Sequence, residues 1–177
     1  VQELIRRLEL ARQLRMALAS SSSNSAASWH GLCNIQWTSE DEDLPEVVAC
    51  RELVGHMSNE VERSAIEAMS TGQAVWGRSG LAVLSDHATI EVDRLQRAVQ
   101  ELEAFPSIFL QRAEVGVQAR LILRIRLGLK QASFSDPTSW ITVAEALDTA
   151  EQSVRELAEV RAAEEEFNSV REMLETQ

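Results

Sequence analysis

Residues 131–140 read QASFSDPTSW, and residues 20–29 read SSSSNSAASW. Each stretch follows an Arg-bearing apolar segment and leads into another helix-forming one. Ser and Asn side chains compete with a helix for its own backbone hydrogen bonds, so both stretches are expected to end a helix. In the later one, Asp136 before Pro137 offers an N-cap followed by proline at the first helical position, which restarts one. Reading these two breaks as joints between helices decides the fold.

Composition agrees. With 7 Gly, 3 Pro and no Tyr in 177 residues, the chain lacks the turns and aromatic strand residues of an all-β protein. Helix formers dominate. Val1 to about Ala19 is an expected helix with Leu4, Leu8, Ala11, Arg15 and Leu18 along one face and Ile5, Arg12 and Leu14 beside it. A short helix carries Trp29, Leu32, Cys33 and Ile35. In DLPE, Asp43 can cap, Pro45 sits in the first turn and Glu46 is placed for a capping box. Val47, Cys50, Val54, Met57, Val61, Ala65 and Ala68 then predict one long amphipathic helix ending near Gly72.

A shorter helix over 73–84 is expected next, followed by one that ends at Phe105-Pro106. Ile108–Lys130, capped by Ser107, is apolar on most faces and reads as the central helix, with Leu121, Ile122 and Ile125 in the core. The last helix runs from Pro137 to the chain end. Its apolar ladder shifts at 157–160–163, so it is expected to meet two different neighbours.

Ser28-Trp29 and Ser139-Trp140 lie 111 residues apart. At that offset Leu10 meets Leu121, Leu14 meets Ile125, Leu18 meets Leu129 and Leu32 meets Val143. After a two-residue slip, EVVACREL (46–53) falls on EVRAAEEE (159–166), and Trp76 with EVDRLQRA (91–98) gives a looser middle copy. The expected fold is therefore all-α, an irregular, solenoid-like stack of helical hairpins built on a degenerate repeat, with a closed helical bundle as the alternative. It is read as a single helical domain over 1–177 with loose units 1–70, 73–105 and 108–177. Trp29, Trp76 and Trp140 are the expected core wedges. Trp29-His30-Gly31-Leu32 opens like a tetratricopeptide unit but lacks the Gly and Tyr of that pattern, and the chain is assigned to no named family. Opening on VQELIRRLELARQL without an initiator Met, it reads as a piece of a longer polypeptide.

A formal charge of −11 argues against general binding to nucleic acid or anionic lipid. No uncharged apolar run is long enough to cross a membrane. Two Cys form no disulfide framework, which favours a reducing, cytoplasmic setting. His30, Cys33, Cys50 and His56 lack zinc-ligand spacing. EDED (40–43) and EEE (164–166) are read as solvated faces rather than paired catalytic acids, and STGQAVWGRSG has no phosphate-loop Lys. No metal, cofactor or catalytic residue is expected.

The expected function is a non-catalytic protein-interaction or structural scaffold segment. Partner-binding candidates are Trp37, beside the acidic loop, and the row Arg112, Arg120 and Arg124, which Gly116 completes at four-residue spacing. Two alternatives accompany it. The basic segment 108–130 could be the helical target of a calmodulin-like EF-hand partner, or the chain could be part of an enzyme whose active site lies outside it.

Overall fold

The computed structural model describes residues 1–22, 24–76, 86–133 and 135–176, the side chains of 72–76, 86–90 and 174 excepted. Seven α-helices are described: α1 (Gln2–Ser20), α2 (Pro45–Trp76), α3 (Asp86–Ala104), α4 (Ala113–Gln131), α5 (Ile141–Asp148), α6 (Gln152–Arg155) and α7 (Ala158–Glu175). Tight 3-10 turns at Ala26–Asn34, Ser39–Asp41, Ser107–Phe109 and Pro137–Trp140 join them. The chain is all-α, as the composition and periodicity predict. It divides into two compact units, Val1–Arg63 with Gln100–Ala113, and Ser64–Val99 with Glu114–Gln177.

In the first unit α1 buries Leu10, Ala11 and Leu14, and Leu4 and Leu8 of the expected face are exposed. The Ser-rich break is held by its own side chains. Ser28 Oγ accepts from the Ser22 N–H at 2.7 Å and donates to the Ser25 carbonyl at 2.7 Å. The Trp29 indole N–H donates to the Ser22 carbonyl at 3.2 Å. Its ring is buried and stands 6.3 Å from Phe105, which is 6.3 Å from Phe109. Each fully buried large apolar side chain contributes roughly 1.5–3 kcal/mol over leaving it in water.

The second unit contains the same joint. Ser139 Oγ accepts from the Ser133 N–H at 2.8 Å and donates to the Asp136 carbonyl at 2.6 Å, and the Trp140 indole donates to the Ser133 carbonyl at 3.0 Å. Asp136 caps the following turn by accepting from the Thr138 N–H, as its place before Pro137 predicts. Trp140 is buried, with Phe167 6.5 Å away. Leu121, Ile122, Ile125 and Leu129 of α4 are buried, so the expected core residues of this helix lie in the core of the second unit. At Gly128 α4 comes so close to α5 that a Cβ would stand 2.7 Å from Val143 Cγ2.

The elements depart from expectation in four places. α2 continues through Gly72 to Trp76, so the cap expected there does not end it; the rest of the expected 73–84 helix, and the Trp76 side chain, lie outside the described residues. α4 begins at Ala113 rather than Ile108, because Glu62 takes up the N–H groups before it: Oε1 accepts from Gln111 at 2.7 Å and Arg112 at 2.8 Å. Glu46 closes no capping box but binds Arg15. The final helix is broken into α5, α6 and α7.

Candidate functional site

Along α4, Val117, Arg120, Leu121 and Arg124 follow at spacings of three, one and three residues and share one side of the helix. Across from them the chain breaks between α5 and α7. Thr149 Oγ1 donates to the Glu145 and Ala146 carbonyls at 3.2 and 3.0 Å. Arg155 donates from Nε to the Ala150 carbonyl at 3.0 Å and from Nη2 to the Leu147 carbonyl at 3.1 Å. These bonds satisfy the carbonyls left over at the end of α5 and fix the break in place. Between α4 and the break lies a cleft of about 320 Å³, lined by Val117, Arg120, Leu121, Arg124, Thr149, Glu151 and Val154. Val117, Leu121 and Val154 make an apolar floor. On the rim, Arg120 Nε donates to the Gly116 carbonyl at 3.1 Å, and Arg124 Nη2 stands 3.8 Å from Glu145.

Two of the three expected arginines thus meet at one cleft. Arg112 does not join them, because it precedes α4 in the first unit, where its backbone is bound by Glu62 and its Nε lies 3.9 Å from Glu62 Oε2. Trp37 is half-buried on the extended stretch between two 3-10 turns. In the acidic run beside it Glu40, Glu42 and Asp43 are exposed, as a solvated face requires, and Asp41 is the exception. Asp41 is fully buried, accepting from Arg6 at 2.7 and 2.9 Å and from the Thr38 N–H at 3.0 Å. Asp43 accepts from Arg7 at 2.6 Å and Glu42 from Arg51 at 2.7 Å. Arg6, with the Thr38 backbone N–H, holds the Asp41 carboxyl well below the usual range.

Sequence reasoning also missed the most enclosed polar pair. Arg126 and Glu159 are both fully buried and joined by two hydrogen bonds, Nε to Oε1 at 2.5 Å and Nη2 to Oε2 at 3.0 Å. The remaining donors reach the Ala68 and Met69 carbonyls at 3.3 and 3.0 Å. Burial raises the Glu159 carboxyl, outweighing the bonds from Arg126 that lower it. With its guanidinium fully buried and bonded to Glu159 and to two α2 carbonyls, this pair is structural. The signal for it was present in the offset pairing of 46–53 with 159–166, where Glu46 meets Glu159.

The cleft can bury an apolar side chain and offer guanidinium donors to a carboxylate. No carboxylate pair or activated nucleophile lines it. Cys50 is buried and its thiol is pushed up by desolvation, the opposite of activation. Among the described residues no group of three or more His, Cys, Asp or Glu is placed to hold a metal ion, and no helix is long and apolar enough to cross a membrane. Comparison with family profiles, curated proteins and solved structures returned no match.

Proposed function

We propose that the chain is a non-catalytic protein-interaction or structural scaffold segment, built on a duplicated helical unit, that takes its partner at the cleft beside α4. The cleft is the observation that carries this reading. Arg6, Arg7, Arg15, Arg51 and Arg126 are each engaged by carboxylates of the same unit. Arg120 and Arg124 line the cleft together with Val117, Leu121 and Val154, Arg124 Nη2 standing 3.8 Å from Glu145. Duplication is supported by the two Ser–Trp joints with their matching hydrogen bonds. Units of this kind expose extended faces rather than deep polar pockets. Cys33 and Cys50, both free thiols, suit a reducing, cytoplasmic setting.

The EF-hand reading needs apolar anchors of segment 108–130 to be presented, and Leu121, Ile122, Ile125 and Leu129 are buried. The test is chemical cross-linking of the tagged chain in cell extract, comparing Arg120→Glu, Arg124→Glu and Trp37→Ala. Either Arg substitution should reduce recovery of a saturable partner by about tenfold, the size expected for one lost interface contact. Trp37→Ala should leave that partner in place. Full recovery with both Arg substitutions would remove the cleft from the reading.

A further inference from the structure

Helices α1 and α4 lead into the two Ser–Trp joints, and residues 111 apart along them bury different surfaces. Leu10 and Leu14 of α1 are buried, as are Leu121 and Ile125 of α4. A neighbouring sector of each helix differs. On α4 it carries Val115 at 5% exposed, Ala119 at 0% and the buried Arg126. The matching residues of α1 are Leu4 at 63%, Leu8 at 62% and the exposed Arg15. At Arg126 another helix lies over this sector, since the Ala68 and Met69 carbonyls of α2 accept from the guanidinium. The α1 sector has the larger apolar side chains, and they stand open.

Val1, Leu4, Ile5 and Leu8 make one exposed stripe over two turns, about 10 Å long. Along 1, 4, 8, 11, 15 and 18 the spacing alternates three and four, the seam of a helix that pairs lengthwise with another helix. Ala11 is turned into the core of its own unit, so the first eight residues are the part left to pair. Neighbouring exposed apolar side chains of this kind mark a contact surface. Among the described residues, Val48, Leu53, Ile108, Val117, Ile141 and Met173 are spread one or two to an element. A second copy of the chain therefore offers one comparable stripe, and it is the same one. The charges of α1 select no acidic partner. Arg6 is held by Glu3 and Asp41, Arg7 by Asp43, Arg12 by Glu9 and Arg15 by Glu46.

We propose that α1 is a homodimer contact, in which two copies pair their Val1–Leu4–Ile5–Leu8 stripes antiparallel about a two-fold axis. Such an axis sets one surface against itself. Antiparallel pairing brings Leu4 of each copy to Leu8 of the other and carries Arg12 and Arg15 of the two copies to opposite ends of the contact. Parallel pairing would set each Arg beside its own counterpart, like charge on like charge. This contact is separate from the cleft beside α4, which no residue of the stripe lines.

Sedimentation equilibrium of the 177-residue chain from about 5 μM to about 1 mM tests the dimer. The mass should rise from that of one chain toward that of two, with Kd between about 20 and 500 μM, in keeping with a contact at the small end of protein interfaces. Raising NaCl from about 0.05 to about 0.5 M should tighten it, because salt screens the repulsion between two chains of net charge −11 and leaves apolar contact in place. Weakening by salt would mean that charge pairing holds the dimer, and would overturn the proposal.

Leu8→Glu and, separately, Ile5→Glu should each weaken dimerisation at least about tenfold, since each sets a carboxylate in the apolar contact. Both positions are exposed, so both variants should keep the parent's circular-dichroism melt. Ile141→Glu, similarly exposed in the second unit, adds the same charge and should leave the dimer intact. Disulfide trapping reads the orientation: Leu4→Cys mixed with Leu8→Cys should cross-link faster than either variant alone, and faster self-linking of either would overturn the antiparallel pairing. A chain that stays monomeric to about 1 mM overturns the proposal and leaves the stripe to a helix of another protein. A dimer that survives both α1 substitutions, or that Ile141→Glu weakens equally, puts the contact elsewhere and overturns it too.

Discussion

Arg15 with Glu46 in the first unit, and Arg126 with Glu159 in the second, are one ion pair in two settings. Arg15 lies 111 residues before Arg126, and Glu46 lies 113 before Glu159, which is the offset that superposes the starts of α2 and α7. The first pair is open, with side-chain exposures of 74% for Arg15 and 12% for Glu46, and the second is at 0% for both. Arg15 holds the Glu46 carboxyl below its usual range by a hydrogen bond. Burial drives the Glu159 carboxyl the other way. The difference lies in the cover: Ala68 and Met69 of α2 stand over Arg126, and their carbonyls take its remaining donors. The matching stretches bring the same residues together, and the packing around each pair decides whether it is a solvated surface contact or a keystone.

The ion pair of Arg6 with Asp41 in the first unit has no charged counterpart in the second, where the matching positions are Val117, half-exposed, and Val154, buried.

The largest expected effect separates the two ion pairs. Arg126→Ala leaves the Glu159 carboxylate buried without its partner, and breaking a buried pair from one side costs roughly 3–5 kcal/mol. Arg15→Ala removes a solvated contact and should leave the unfolding midpoint within measurement error. Urea denaturation followed by circular dichroism distinguishes them. Replacing both buried partners together, Arg126→Met with Glu159→Leu, should recover most of the loss, because apolar packing removes the desolvation penalty. Equal losses for Arg126→Ala and Arg15→Ala would mean that the cover over Arg126 does not seal it.

Gly128→Ala is expected to cost less, about 1–3 kcal/mol, the range for forcing a methyl group into a packed core. The added Cβ would meet Val143 Cγ2 at 2.7 Å and the Val143 backbone nitrogen at 3.1 Å, and only the side chain of that residue can give way. The corresponding residue of α1 is Ala17, which already carries a Cβ. Ala17→Gly should therefore act only through helix propensity, about 1 kcal/mol. A Gly128→Ala variant as stable as the parent would show that α4 and α5 stand further apart than this contact requires.

Much of this was legible in the sequence, and the limits follow from distance along the chain. Trp29 and Trp140 were readable because the hydroxyls and carbonyls that hold them lie within seven residues. The core of α4 was readable from its period. Glu46 was misread because its position three residues after Asp43 fits a local cap, and its actual partner, Arg15, is 31 residues away. Asp41 looked like one member of an acidic run because nothing local shows that Arg6 lies above it. The final helix was predicted to be continuous because its apolar ladder runs through 149–157; the shift at 157–160–163 marked a change of neighbour, and the chain makes that change by breaking.

The smallest expected effect is the response of each unit to acid. The first unit is held by carboxylates shifted down: Asp41 by Arg6, Asp43 by Arg7 and Glu46 by Arg15. A carboxyl with a folded value below its unfolded one contributes stability that is present above the unfolded value, 3.8 for Asp41, and is lost as pH falls through the folded value. Glu159 has the opposite sign. Its folded value lies above 4.5, so the folded state binds the proton more readily, and stability from this site falls as pH rises from 4.5 through the folded value. Acidification from about pH 5 to about pH 3 should therefore weaken the first unit relative to the second. Amide hydrogen exchange, corrected for the intrinsic rate at each pH, reads the two separately. Protection over Leu44–Val54 should fall while protection over Ala158–Val170 holds or rises. Asp41→Asn should remove much of the acid response of the first unit, because an amide in that position does not titrate, and it should leave the second unit unchanged. Parallel loss of protection in both units would mean that Arg126 keeps Glu159 ionised against its burial, and the contrast between the two ion pairs would then be one of exposure alone.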